Sequence, residues 1–183
     1  RLEAKWREHL PAEETVLSIE EAIKSLRKDD PRPLLIIREC DGCKNKEGDL
    51  LKRTLEDERF LLATPWFHCV KLDKESHFPD HPYSKLFTGS IPPHVVLASW
   101  DGKRIVNVSR AGQKEIWQAM QKVLRVSYKK SPSTAMKGLS KILEKYDAID
   151  EREQELLSQL AVKEERGKTQ RAEKLRKEII ELE

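Results

Sequence analysis

The chain has 183 residues, enough for one domain of ordinary size plus an appendage. Lys+Arg at 35 nearly balances Asp+Glu at 32, for a net charge of +3, so no one-sided excess marks a nucleic-acid or anionic-membrane surface. No apolar run approaches the roughly 18–20 residues that cross a bilayer, which predicts a soluble chain with no membrane span.

The charge is unevenly placed. Residues 131–183 hold 11 Lys/Arg and 12 Asp/Glu and a single proline, Pro132, whereas the stretch before them carries eight prolines. This divides the chain into a leader (1–14), a compact mixed domain (15–130) and a charged helical extension (131–183). Within the domain, Ser18-Ile19-Glu20-Glu21 has the S-x-x-E form of a capping box, and Ile19, Ala22, Ile23 and Leu26 follow at helical spacing. Asp29-Asp30-Pro31 stops that helix. Leu34-Leu35-Ile36-Ile37 is apolar without alternation, the pattern of a strand buried on both faces.

Residues 44–62 lack proline, keep Leu50, Leu51 and Leu55 in register and read as one helix. Phe67 to Asp73 reads as a second strand, with Cys69 a small buried hydrophobe inside it. A polar loop with Pro79 and Pro82 follows. His77, Asp80 and His81 in that loop read as solvated side chains, and Tyr83 to Phe87 as a helical turn. Val95 to Trp100 is a third strand, closed by Asp101-Gly102 into a hairpin with Arg104 to Val108. Gln113 to Tyr128 carries Ile116, Trp117, Met120, Val123 and Leu124 at helical spacing. Trp66, Trp100 and Trp117 are expected in the core, while Trp6 stands apart in the leader. The sum is an α/β domain, a central sheet with helices on both faces.

Beyond Thr134, Leu139, Ile142, Tyr146, Ile149, Leu156 and Leu160 keep heptad spacing, interrupted by Glu153. The pattern breaks near Gly167 and resumes at Ala172, Leu175, Ile179 and Leu182, which fits either a helical hairpin or one kinked helix. So narrow an apolar stripe must pair with itself, with the globular domain or with another chain, and a homo-oligomer or a helical protein partner through 131–183 is expected.

Three cysteines are too few for a disulfide-stapled scaffold, but Cys40 and Cys43 stand as C-x-x-C directly after the first buried strand. With Arg32-Pro33-Leu34-Leu35-Ile36-Ile37, Val70-Lys71-Leu72-Asp73, Ile91-Pro92-Pro93 and Trp100-Asp101-Gly102-Lys103, this order resembles the thioredoxin fold over residues 15–130. The nearer resemblance is to bacterial extracytoplasmic thiol-disulfide proteins related to the C-terminal domain of DsbD. It implies a thioredoxin-like domain, to which the heptad-spaced tail adds a coiled-coil-like extension, and a thiol-disulfide oxidoreductase acting on protein or small disulfides in an extracytoplasmic setting. It implies no bound cofactor and no metal. The start at Arg1 rather than Met agrees with a piece of a longer precursor.

Two alignments of the motif are open. With Cys40 as nucleophile the motif is Cys40-Asp41-Gly42-Cys43 behind a shortened loop. With Cys43 the loop keeps its length, and Lys46 stands where the second cysteine should be. Spacing favours Cys43 as the attacking thiol and Cys40 as the resolving one. Lys44 and Lys46 beside Cys43 favour its thiolate, whereas Glu39 and Asp41 oppose one at Cys40. By resemblance Pro93 is the family's cis-proline and, with Pro92 and His94, lines the substrate groove. The acid that the family carries near the position of Ile37 is missing, so release of a mixed disulfide is expected to be slow. The alternative, from another class, is a redox-inactive thioredoxin-like module that binds or oligomerises through its helices.

Overall fold

The computed structural model describes residues 4–8, 15–39, 53–89, 92–108, 112–129, 131–165 and 169–180. They form two compact units, Arg1–Met136 and Lys137–Glu183. The first is built on a five-stranded mixed sheet: β1 (Arg7–Glu8), β2 (Leu34–Arg38), β3 (His68–Leu72), β4 (Val95–Ala98) and β5 (Ile105–Val108). Their order is β1-β3-β2-β4-β5, with β1, β3 and β2 parallel and β4 and β5 antiparallel to their neighbours.

The buried run Leu34–Ile37 is the central strand, as its lack of alternation requires. Ile36 faces Val70 of β3 and Val96 of β4, and all three are buried. Along β2 the side chains alternate between faces. Leu34 and Ile36 share a cluster with Ala22, Ile23 and Leu26 of α1 (Ile19–Arg27) and with Tyr83, Leu86 and Phe87. Helix α3 (Gln113–Tyr128) packs against β4 and β5, burying Ile116, Ala119, Met120, Val123 and Leu124.

Local chemistry sets several boundaries. The Ser18 hydroxyl accepts the Glu21 amide hydrogen at 3.2 Å, and the Glu21 carboxylate accepts that of Ser18 at 2.8 Å, closing the expected capping box. The 44–62 helix is not continuous where it is described. Residues 53–55 are helical, the chain then breaks, and Asp57 starts a new helix, α2 (Glu58–Ala63), by accepting the Phe60 amide at 3.0 Å. An aspartate that offers the backbone a local acceptor favours a cap over a helix interior. In the leader, Arg7 and Glu8 pair with Val70 and Lys71 to add an edge strand. Both are exposed, so no hydrophobic alternation announced it.

Trp100 is a further correction. It lies in the β4–β5 turn and is 48% exposed, while its carbonyl oxygen accepts from Arg27. A turn residue outside the ladder has no sheet face to bury against. Gly102 in the same turn has φ +70°, a conformation that glycine adopts without strain.

In the second unit, α4 (Pro132–Glu165, which starts in the first) and α5 (Thr169–Ile180) form a hairpin. Arg152 meets Glu178 at 2.8 Å, a pair that one continuous helix would hold about 39 Å apart. Leu156 and Ala172 are buried, and Glu164 pairs with Arg176 at 2.5 Å. Among the described residues, no helix is long and apolar enough to cross a membrane.

Candidate functional site at the carboxyl end of the central strand

The parallel strands β2 and β3 end on the same side of the sheet, and the chain from β2 runs directly into the cysteine segment. In open α/β sheets this carboxyl edge is where crevices form. Cys40, Cys43, Lys44 and Lys46 lie outside the described residues, so the site is built from what surrounds their point of departure.

Pro92, Pro93 and His94 come to that point because β4 is antiparallel to β2. Ile37 pairs with Val95, and the Arg38 amide donates to the His94 carbonyl at 2.9 Å. Pro93 is buried, and Pro92 and His94 are half-buried. The expected cis bond at Pro93 is not formed: no peptide among the described residues is cis. A Pro-Pro pair favours trans by about 0.5–1 kcal/mol, and nothing in its own sequence reverses that.

The residue that organises this edge is Arg38, which sequence reasoning passed over. It is 6% exposed. Its guanidinium donates to the Lys74 carbonyl at 3.5 Å and to the Pro92 carbonyl at 3.3 Å, and it lies 3.4 Å from Nδ1 of both His77 and His94. It also stands over the Phe87 ring at 5.8 Å. All these contacts are long, and Nε has no hydrogen-bond partner among the described residues. His77 is already committed, because its Nδ1 lies 2.6 Å from the Lys74 carbonyl and must donate there. No carboxylate among the described residues pairs with Arg38, and burial lowers its affinity for the proton. A buried guanidinium stays charged, and leaving it unpaired costs several kcal/mol.

The sequence signal was present but ambiguous. Arg38 ends the run Leu34-Leu35-Ile36-Ile37, and an arginine there more often leads its charge out to water.

Several neighbouring charges among the described residues are paired. Glu39 pairs with Lys71, and Lys74 with Glu75 at 3.7 Å. Asp73 accepts the Ser76 hydroxyl at 2.6 Å and lies 3.6 Å from Nε2 of His81. His81 Nδ1 in turn accepts the Tyr83 amide at 3.2 Å. Asp80 is exposed. These contacts make the His77–His81 loop a structural brace.

At the opposite edge, where β2 and β3 begin, Asp30 binds Arg32 at 2.6 Å and Nδ1 of His68 at 2.7 Å. Cys69 beside them is 5% exposed, with its thiol 3.6 Å from the Thr64 carbonyl, and burial pushes that thiol up to about 12. It is the small buried hydrophobe the strand pattern predicts, and too poorly ionised to act as a nucleophile.

No protein-family model matches the chain, and no curated protein matches it.

Proposed function

We propose that the chain is a thioredoxin-like thiol-disulfide oxidoreductase acting through Cys40 and Cys43 on protein or small disulfides. The observation that carries the reading is the meeting of two sequence landmarks. The strand feeding the C-x-x-C segment ends against Pro92-Pro93-His94, through the Arg38 amide and the His94 carbonyl. A mixed sheet with a parallel β2/β3 pair and an antiparallel β4/β5 hairpin supports the same reading.

In the reaction, one thiolate of the couple attacks a substrate sulfur and expels the other as a thiolate, leaving a mixed disulfide. The second cysteine, deprotonated, then attacks the protein's sulfur in that bond and releases the remaining substrate thiolate. The couple ends as a disulfide, and the substrate disulfide has gained two electrons and two protons as a dithiol. Pro92, Pro93 and His94 would line the groove for the substrate chain, and Lys44 and Lys46 would favour thiolate in the segment. Insulin reduction with dithiothreitol tests this. Wild type accelerates turbidity and Cys43→Ser does not; equal turnover by the two proteins overturns the enzymatic reading. Equilibration with glutathione then gives direction, a poise near −270 mV marking a reductant and one near −120 mV an oxidant, as for thioredoxin and DsbA.

A second reading, a redox-inactive module that associates through its helices, draws on a different observation. Ile142, Tyr146 and Ile149 project from α4 at 50%, 60% and 38% exposure.

A further inference from the structure

A cleft of about 570 Å³ opens at the edge of the sheet where β2 begins, away from the end that feeds the C-x-x-C segment. Three elements bring charge to it. Arg7 comes from the edge strand β1, Arg27 and Lys28 from the end of α1, and Asp29, Asp30 and Arg32 from the turn into β2. Asp30 and Arg32 cancel each other, since their side chains meet at 2.6 Å. Arg27 donates to the Trp100 carbonyl, which carries no charge. Among the described residues, no carboxylate pairs with Arg7, Arg27 or Lys28, and Asp29 is exposed and pairs with no cation. Three cations against one carboxylate leave the cleft with an excess of two positive charges.

The backbone of Lys28 stands at φ 53° and ψ −124°, a conformation that glycine takes freely and a residue with a β-carbon takes only under strain. Its amide donates to the Lys24 carbonyl at 3.0 Å and so closes α1. Glycine would close the helix equally well. What lysine adds is an ammonium in the lining of the cleft. The end of a helix ordinarily repels an anion through its free carbonyls. Here the Lys24 carbonyl is taken by Lys28, and the Arg27 carbonyl accepts the Asp30 amide at 3.1 Å.

We propose that this cleft binds a small phosphomonoester, with Arg7, Arg27 and Lys28 on its phosphate dianion. Two guanidinium forks and an ammonium suit a group with three acceptor oxygens and two negative charges. A carboxylate would leave one of the excess charges unmet. The volume lies within the range of small-ligand sites, so there is room beyond the phosphate for an organic part.

The test is titration of the full-length chain at pH 8, where a phosphomonoester is a dianion, followed by nuclear magnetic resonance of the backbone amides. The probes are inorganic phosphate, glycerol phosphate and acetate at one ionic strength. Both phosphates should shift the Lys28, Asp29 and Arg32 amides saturably, glycerol phosphate at the lower concentration, and acetate should not. Arg7→Gln and Lys28→Gly should each weaken binding about tenfold, the loss of one charge-assisted hydrogen bond. Lys122→Gln, which removes an exposed cation outside the cleft, should leave binding unchanged. Lys28→Gly should also melt at a higher temperature than wild type, because glycine relieves the turn. The absence of a saturable shift with either phosphate in wild type overturns the proposal and needs no variant. Acetate bound as tightly as phosphate overturns it too, as does undiminished affinity in Arg7→Gln and Lys28→Gly. Glycerol phosphate bound no more tightly than inorganic phosphate overturns the assignment to a phosphomonoester.

Discussion

Oδ2 of Asp30, in the turn before β2, lies 2.7 Å from Nδ1 of His68, the first residue of β3, so one carboxylate ties together the starts of two adjacent parallel strands. The same group takes the Arg32 side chain at 2.9 and 2.6 Å and the Arg32 amide at 3.0 Å. The Arg32 guanidinium is the main reason the Asp30 carboxyl sits well below the usual carboxylate range, with the Arg32 amide and His68 adding to it and burial opposing.

A folded pKa below the unfolded value of about 3.9 means that ionised Asp30 stabilises the fold above that pH, and the contribution is lost as pH falls below it. Asp30→Asn is therefore expected to cost about 1.5–3 kcal/mol at pH 7, the range for hydrogen bonds to a charged group. Urea unfolding of both proteins between pH 7 and pH 2 checks it. The gap should shrink as pH drops below about 4, and a gap independent of pH would show that the charge is not what matters.

At the other end of the same layer, Ser18 and Glu21 each satisfy the other's backbone amide at the start of α1, whose Ala22, Ile23 and Leu26 are buried against β2. Removing the hydroxyl leaves the Glu21 amide without its acceptor. Ser18→Ala should lower unfolding free energy by about 1 kcal/mol with no change in the denaturant slope. An unchanged midpoint would mean water replaces the cap at no cost.

These two sites differ in how legible they were. The capping box is local, since donor and acceptor lie three residues apart and the motif states the bond. The buried strand and the α3 stripe were equally plain, because their periods report burial directly. Asp30 was read only as a helix stop, and its partner His68 is 38 residues away. Arg38 escaped for a related reason. Its environment is assembled from Lys74, Phe87, Pro92 and His94, residues 36 or more positions along the chain, and nothing local marks an arginine that stays inside. The edge strand Arg7–Glu8 was illegible because its hydrogen bonds are purely backbone.

Cys69 offers a simple check on the thiol inventory. At 5% exposure, with burial pushing its thiol up to about 12, it should remain unlabelled when the native, reduced chain is treated with a thiol reagent at pH 8. Mass mapping before and after adding denaturant reads this directly. Labelling of Cys69 without denaturant would show that β3 opens far more readily than its buried neighbours Val70 and Leu72 allow.

The helical hairpin leaves part of its seam uncovered. Helix α5 covers α4 around Leu156, and the Arg152–Glu178 pair joins the two helices near the far end of α5. Ile142, Tyr146 and Ile149 on the preceding turns remain 38% or more exposed. They continue the spacing that Leu156 completes, so the face suits another helix of the same kind. In a parallel pairing with a second copy, Lys145 would stand opposite Asp150, twice by symmetry, the flanking charge pattern that guides coiled-coil partners. Sedimentation equilibrium of the full chain should therefore give at least a dimer at tens of micromolar, and Tyr146→Lys should return it to monomer with its helix content intact. A monomeric wild type at that concentration would remove self-association from the account.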